Sequence, residues 1–186
     1  MAKGFMEIWG EDYWHTYSPT LGHDTLLATL AYAASLDLDI HQLDAVAAYL
    51  NSDLNEVIYL CPPNGVPSTP GTVWQLQKAL YGLKQAGLEW YCTLHTHIQS
   101  IGFNQSGHDP CLYVSDPEMF MVVYVDDLLV FAPRSKLEQM KSEVAGKFEM
   151  RDLIEAHWFL TMEITHDHTA QTISIDQCQY IRKIIG

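Results

Sequence analysis

Positive charge is what this chain has least of. Its 186 residues carry 10 Lys and Arg against 23 Asp and Glu, a formal net charge of -13. Affinity for a phosphate backbone comes mainly from Lys and Arg displacing counterions, so this balance argues against a chain that binds nucleic acid by itself. Cysteine is sparse as well. Cys61, Cys92, Cys111 and Cys178 are scattered and form no C-x-x-C pair, which leaves no pattern for a disulfide framework. Long apolar runs are missing, since the stretch from Met121 to Val125 falls far short of the roughly 20 residues that a membrane span needs. The opening MAKGFMEIWGEDYW has no basic-then-apolar secretory order. The expectation is an intracellular, reduced protein that is not secreted and engages no membrane.

What is present is enough apolar material for one domain with a sizeable core, at 48% hydrophobic residues. DTLLATLAYAASL (24–36) places Leu26, Leu30 and Ala33 or Ala34 at helical spacing, with Thr20 or Asp24 as candidate caps. IHQLDA (40–45) reads as a strand, AVAAYLNSDL as a short helical turn and EVIYLCPP as a strand stopped by its prolines. NGVPSTPG (64–71) is a surface loop and VWQLQ a strand. A longer helix is expected from about Lys84 to Ile101, burying Leu88, Tyr91 and Leu94 or His95. CLYVS, MFMVVYV and LLVFAP read as strands, SKLEQMKSEVAGKFEM as an amphipathic helix with Leu137, Met140, Val144 and Phe148 inside, WFLTMEI and TISID as a hairpin, and QCQYIRKII as a helix start. Hairpins argue for antiparallel pairing, so the class is α+β rather than a doubly wound α/β sheet.

Within MVVYVDDLLVFAP (121–133) two adjacent acids, Asp126 and Asp127, interrupt an otherwise apolar run. Buried carboxylates are costly without compensation and neighbouring ones repel, so the pair requires water or a metal ion. A hairpin tip would expose both, although Asp-Asp is not among the favoured two-residue turns. Asp44, at the end of the IHQLDA strand, is the other acid set among apolar neighbours. It reads either as a turn or capping residue or as a third ligand. Three carboxylates from two strand ends could hold Mg²⁺, and a pair of such ions can activate a hydroxyl and stabilise a leaving pyrophosphate. His95 with His97, and His166 with Asp167 and His168, form H-x-H groupings. No second pair of ligands stands at a zinc-like spacing, so exposed polar residues are the expected reading.

YVDD (124–127) resembles the polymerase hairpin motif of reverse transcriptases, and five further matches surround it in order. LDAVAAYLNSDLNEVIYLCPPNG (43–65) is similar to the first catalytic motif of copia-type retrotransposon polyproteins. LQKALYGLKQAGLEWY (76–91) resembles LKKSLYGLKQAPRxWY, and GFNQSGHDPCLYV (102–114) resembles GFxxSxxDPCLY. KFEMRDLIEAHWFLTMEI (147–164) and QCQYIRKII complete the series, so the resemblance covers nearly the whole chain.

This resemblance implies the RNA-directed DNA polymerase domain of a copia-type retrotransposon: a polymerase palm whose antiparallel sheet is backed by helices, with partial fingers and no thumb. It implies one domain over 1–186, a fragment of a longer polyprotein with fingers and RNase H elsewhere. A cytoplasmic particle or the nucleus is the implied location. Asp44, Asp126 and Asp127 would hold two Mg²⁺ ions, with Mn²⁺ as a substitute, for nucleotidyl transfer from a dNTP to a primer 3′-hydroxyl on an RNA or DNA template. The Ala45 carbonyl would add an oxygen, and Tyr124 opens the motif beside the substrate. Tyr49 would exclude a 2′-hydroxyl, its other reading being a core aromatic. Tyr81, Gly82, Leu83, Lys84 and Gln85 would border the template and nucleotide, Gly82 allowing close backbone approach and Lys84 meeting phosphate, unless Lys84 is an exposed helix charge. Phe159, Leu160 and Met162 would lie on the primer-gripping hairpin, although core packing is their better reading.

The sequence departs from the family pattern where positive charge is common. Val46 and His157 stand in place of Lys, Gly87 and Leu88 in place of Pro-Arg, and Thr161 in place of Gly. Template affinity should fall accordingly. The alternative implied is a catalytically inactive, truncated or degenerate remnant that keeps the palm fold.

Overall fold

The structure is a computed structural model that describes residues 2–63 and 65–185. In chain order its regular elements are α1 (His23–Leu36), β1 (Asp39–Ala45), β2 (Tyr59–Leu60), β3 (Trp74–Gln75), α2 (Ala86–Ser100), β4 (Asn104–Gln105), β5 (Leu112–Asp116), β6 (Met119–Tyr124), β7 (Asp127–Ala132), α3 (Arg134–Val144), β8 (Met150–Glu155), β9 (Trp158–Phe159), β10 (Met162–Asp167), β11 (Thr172–Asp176) and α4 (Cys178–Ile185), with 3₁₀ turns at Gly4–Met6 and Ala48–Asn51. Every strand pairing among the named strands is antiparallel. The class is mixed helix and sheet, as the hairpins predict.

The chain divides into two compact units, Met1–Pro19 with Ala47–Thr96 and Thr20–Val46 with His97–Gly186. The second holds a six-stranded sheet in the order β4-β5-β6-β7-β1-β8 and a three-stranded sheet β11-β10-β9. The two central strands of the large sheet, β6 and β7, are buried along most of their length, which is why LLVFA reads as a continuous apolar run rather than an alternating one. On one face Ile40, Phe120, Val122, Leu129 and Phe131 meet Leu26, Leu30 and Ala33 of α1 and Phe159, Met162 and Ile164 of the smaller sheet. On the other, Lys141 of α3 reaches His41 Nδ1 of β1 at 3.2 Å and Asp152 of β8 at 2.7 Å.

The start of α1 differs from the expected caps. Gly22 is the N-cap and makes no side-chain cap bond. Its N–H instead donates to Asp109 Oδ2 at 2.9 Å, while Asp109 Oδ1 accepts the Cys111 N–H at 2.8 Å. The buried carboxylate of the Asp-Pro-Cys stretch thus staples the beginning of α1 to the β5 approach, satisfying two backbone donors that burial would otherwise leave costly. α2 starts two residues later than expected, and its buried positions are Ala86, Glu89, Trp90, Leu94, His97 and Ile98, a stripe rotated from the one anchored on Leu88 and Tyr91. His97 is a structural residue: its Nε2 lies 2.9 Å from the Val144 carbonyl and its ring packs edge-on to Phe148. Phe148 is buried as expected, but α3 ends at Val144 and places it beyond the helix. The loop at 64–71 is exposed over its described residues, Asn64 lying outside them.

In the first unit, β2 and β3 form a two-residue ladder. Ile58, Ala79, Leu83 and Ala86 make a small core, against which Tyr49, Leu54, Leu76 and Leu80 pack.

Candidate active site

A row of polar residues crosses one end of the six-stranded sheet. Tyr124 of β6 is the register partner of Asp127 of β7, Asp127 of Asp44 of β1, and Asp44 of Arg151 of β8. Register partners in an antiparallel ladder share a face, with Cβ atoms about 4.5–5.5 Å apart. The Asp44 and Asp127 carboxylates therefore stand side by side. Two residues further along, the same face carries Val122, Leu129 and Gln42, and then Phe120, Phe131 and Ile40. The acids are the solvent end of a face that is otherwise core.

Asp126 lies in the turn between β6 and β7, and its carbonyl accepts the Ala45 N–H at 2.8 Å. The two-residue connection is thus Val125-Asp126, with Asp127 opening the return strand. Val125 sits at φ 56, a left-handed conformation that a β-branched residue adopts only at a cost of order 1–3 kcal/mol. Glycine or asparagine is the usual occupant of such a turn.

Like charges directly across a ladder repel. Gln42 Nε2 donates to Asp127 Oδ1 at 3.0 Å. The Arg151 guanidinium lies 3.6 Å from Asp44 Oδ2 but is 69% exposed, so solvent screens most of its effect. Asp127 remains above the usual carboxylate range, because burial disfavours its charge and the neighbouring Asp44 adds to that, outweighing the Gln42 hydrogen bond. Carboxylate oxygens with residual uncompensated charge fit a hard divalent cation such as Mg²⁺, which needs only one or two protein carboxylates and completes its shell with water and phosphate. The aspartates are nevertheless not drawn into a tight cage. Among the described residues, the one group of three ligand-type side chains whose atoms lie within 4.8 Å of one another is Asp37, His166 and His168.

The remaining sequence candidates belong to the first unit, apart from Ala45, which is buried at the end of β1, and Phe159, Leu160 and Met162 of the second unit. Tyr49, in the 3₁₀ turn, packs its ring against Tyr81 with centroids 4.4 Å apart. Gly82 has φ 101, and its carbonyl accepts the Gly4 N–H at 3.0 Å, so close that a Cβ on Gly4 would lie 2.0 Å from that oxygen. Lys84 is exposed; its N–H donates to Glu7 Oε2 at 2.8 Å, and its ammonium reaches Tyr13 Oη at 3.1 Å. Gln85 is fully buried and donates from Nε2 to the Asp12 carbonyl at 3.1 Å. Phe159 and Met162 are core residues of the second unit, as read, whereas Leu160 is exposed at φ 56.

Gln42 and Arg151 are the two contacts that the search for acids passes over. Both left a signal. Gln42 precedes Asp44 by two residues, which on a strand means the same face, and Arg151 fills the basic position of the KFEMRDL motif.

Over residues 1–186 the chain matches the family described as reverse transcriptase (RNA-dependent DNA polymerase). It is 32% identical over its full length to the retrovirus-related Pol polyprotein from transposon TNT 1-94 of Nicotiana tabacum, of which it covers 14%. It is equally similar to the Pol polyprotein from transposon RE1 of Arabidopsis thaliana, at 32% identity and 13% coverage. A putative transposon Ty5-1 protein of Saccharomyces cerevisiae is 36% identical over 76% of the chain and 47% of its own length. The chain thus spans about a seventh of the two plant polyproteins. It belongs to the reverse transcriptase (RNA-dependent DNA polymerase) family, as the domain found in the copia-type retrotransposon Pol polyproteins that its motifs resemble.

Proposed function

We propose that this domain catalyses nucleotidyl transfer, the attack of a primer 3′-hydroxyl on the α-phosphate of a deoxynucleoside triphosphate, with the second unit as a polymerase palm and the first as part of the fingers. The observation that supports this most is the in-register pair Asp44 and Asp127 beside the Val125-Asp126 turn. Asp44, Asp126 and Asp127 would hold two Mg²⁺ ions, or Mn²⁺ in their place. Bound there, such ions lower the pKa of an attacking hydroxyl and neutralise charge on the departing phosphates.

The chain's own residues supply the positioning. Gln42 fixes the rotamer of Asp127, the buried β1–β7 pair holds the two carboxylates in register, and Arg151 offsets part of the Asp44 charge. Template, primer and triphosphate are the expected partners, along with the remaining parts of the polyprotein. With a net charge of -13, much of the template affinity would come from those parts.

Primer extension on an RNA template with Mg²⁺ tests the reading. Extension by the wild-type chain should disappear in Asp126→Asn; a wild-type chain that is folded by circular dichroism yet extends nothing would refute activity of this domain by itself. Tyr49 is proposed, on the motif resemblance, to exclude the ribose 2′-hydroxyl. Tyr49→Val should then raise ribonucleotide incorporation relative to deoxyribonucleotide by roughly tenfold or more in the same assay, and an unchanged ratio removes Tyr49 from that role.

A further inference from the structure

Away from the aspartate row, the second unit brings together three side chains from distant parts of the chain. Asp37 follows α1 in a left-handed conformation, at φ 53 and ψ 44. His166 lies on β10, and His168 in the turn that leads to β11. His168 Nδ1 stands 2.7 Å from Asp37 Oδ1, and His166 Nε2 stands 3.9 Å from that same oxygen. The two imidazole rings lie 3.9 Å apart between centroids and are tilted by 36°. The H-x-H spacing, read from the sequence as exposed polar residues, thus acquires a third ligand 131 residues upstream of His168.

Three features distinguish this cluster from an ordinary surface ion pair. The His166 side chain is only 4% exposed, and its Nε2 is buried without a hydrogen-bond partner among the described residues. Its distance from Asp37 is too long for a hydrogen bond, and a buried polar nitrogen that has lost water without gaining a partner is a costly arrangement. Next, the Asp37 carboxylate sits at the C-terminal end of α1, where the helix dipole is negative and the last turn contains no basic residue. A cation is what that position lacks. Finally, behind His168 its Nε2 faces Asp39 Oδ1 at 3.6 Å, and Asp39 is itself held by Arg134 at 2.9 and 3.3 Å. A carboxylate behind an imidazole is the recurring support of a metal-ligating histidine.

We propose that Asp37, His166 and His168 bind one zinc-class divalent cation. Two imidazole nitrogens and one carboxylate oxygen suit Zn²⁺ in a tetrahedral shell with one position left for water, and do not suit Mg²⁺, which selects oxygen. Ligands about 2.0–2.1 Å from a tetrahedral ion lie roughly 3.3 Å apart. The observed 2.7 and 3.9 Å to the shared Asp37 oxygen bracket that separation, and all three ligand atoms lie within 4.8 Å of one another. Burial and the adjacent His168 hold His166 below the usual histidine pKa, in the neutral form that ligation requires. Bound metal would clasp the β10–β11 hairpin to the end of α1.

Equilibrium dialysis of the whole chain against Zn²⁺ in excess Mg²⁺ tests the proposal, with Co²⁺ replacing Zn²⁺ to read tetrahedral ligation from its visible absorption. One ion per chain is expected, with affinity falling by at least about tenfold in Asp37→Asn and in His166→Gln and holding in Asp127→Asn. Asparagine tolerates the left-handed conformation, so Asp37→Asn keeps the helix end intact even if the buried His166 variant misfolds. The proposal is overturned if the wild type retains no zinc, if Asp37→Asn binds as tightly as wild type, or if zinc is lost in Asp127→Asn instead.

Discussion

Asp127→Asn is expected to abolish primer extension and at the same time to raise the melting temperature at neutral pH. The first effect follows from removing a proposed metal ligand, which forfeits several kcal/mol of transition-state stabilisation, or roughly a thousandfold in rate. The second follows from the state of the wild-type carboxylate. Asp127 has its pKa raised by burial and by Asp44, against the opposing Gln42 hydrogen bond, so the folded chain holds this proton more tightly than the unfolded chain. As pH rises above about 4, the unfolded chain ionises first and the wild type loses stability. The loss is complete once pH exceeds the raised folded value. Asparagine has no charge to bury and still offers Gln42 an acceptor. Melting curves should therefore coincide below about pH 4 and separate above it, with Mg²⁺ narrowing the gap by stabilising only the wild type. Coincident curves at pH 7 would mean that the Asp44–Asp127 pair carries no strain.

Phe131→Ala should cost about 3–5 kcal/mol, the usual range for deleting a fully buried aromatic. The ring is 0% exposed on the central strand β7, stacked on Phe120 with centroids 4.6 Å apart and opposite Ile40 of β1. A loss of that size is a large part of the roughly 5–15 kcal/mol that holds an ordinary domain together. Urea denaturation should show a lowered midpoint with little change in slope, and a loss under about 1 kcal/mol would mean that the neighbouring core collapses into the space. The same strand begins at Asp127, so the packing that Phe131 anchors is also what holds the acid in register with Asp44.

Local sequence explains some features of this arrangement and is silent on others. The β6 and β7 runs are apolar enough to be read as strands, and the two acids between them mark the tip. That Val125 rather than an acid takes the left-handed position has no local signal, because isolated valine avoids it and only the pairing on both sides imposes it. β8 escapes periodicity: Arg151 through Ile154 are all exposed, and an edge strand with little to bury shows no alternation. The α1 cap escapes for a different reason. Its partner, Asp109, is 87 residues away from Gly22, and a search for caps looks within one turn.

The order of motifs, the identity of the acids and the type of most elements were determined by the amino-acid sequence, since spacing on a strand or helix already states which face turns inward. Register was decided in three dimensions. Asp44 meets Asp127, Asp109 meets Gly22, and Asp37 meets the two histidines because core packing on both faces of the sheet selects one alignment among many. A residue's neighbours across a ladder depend on that summed burial and not on the residue itself.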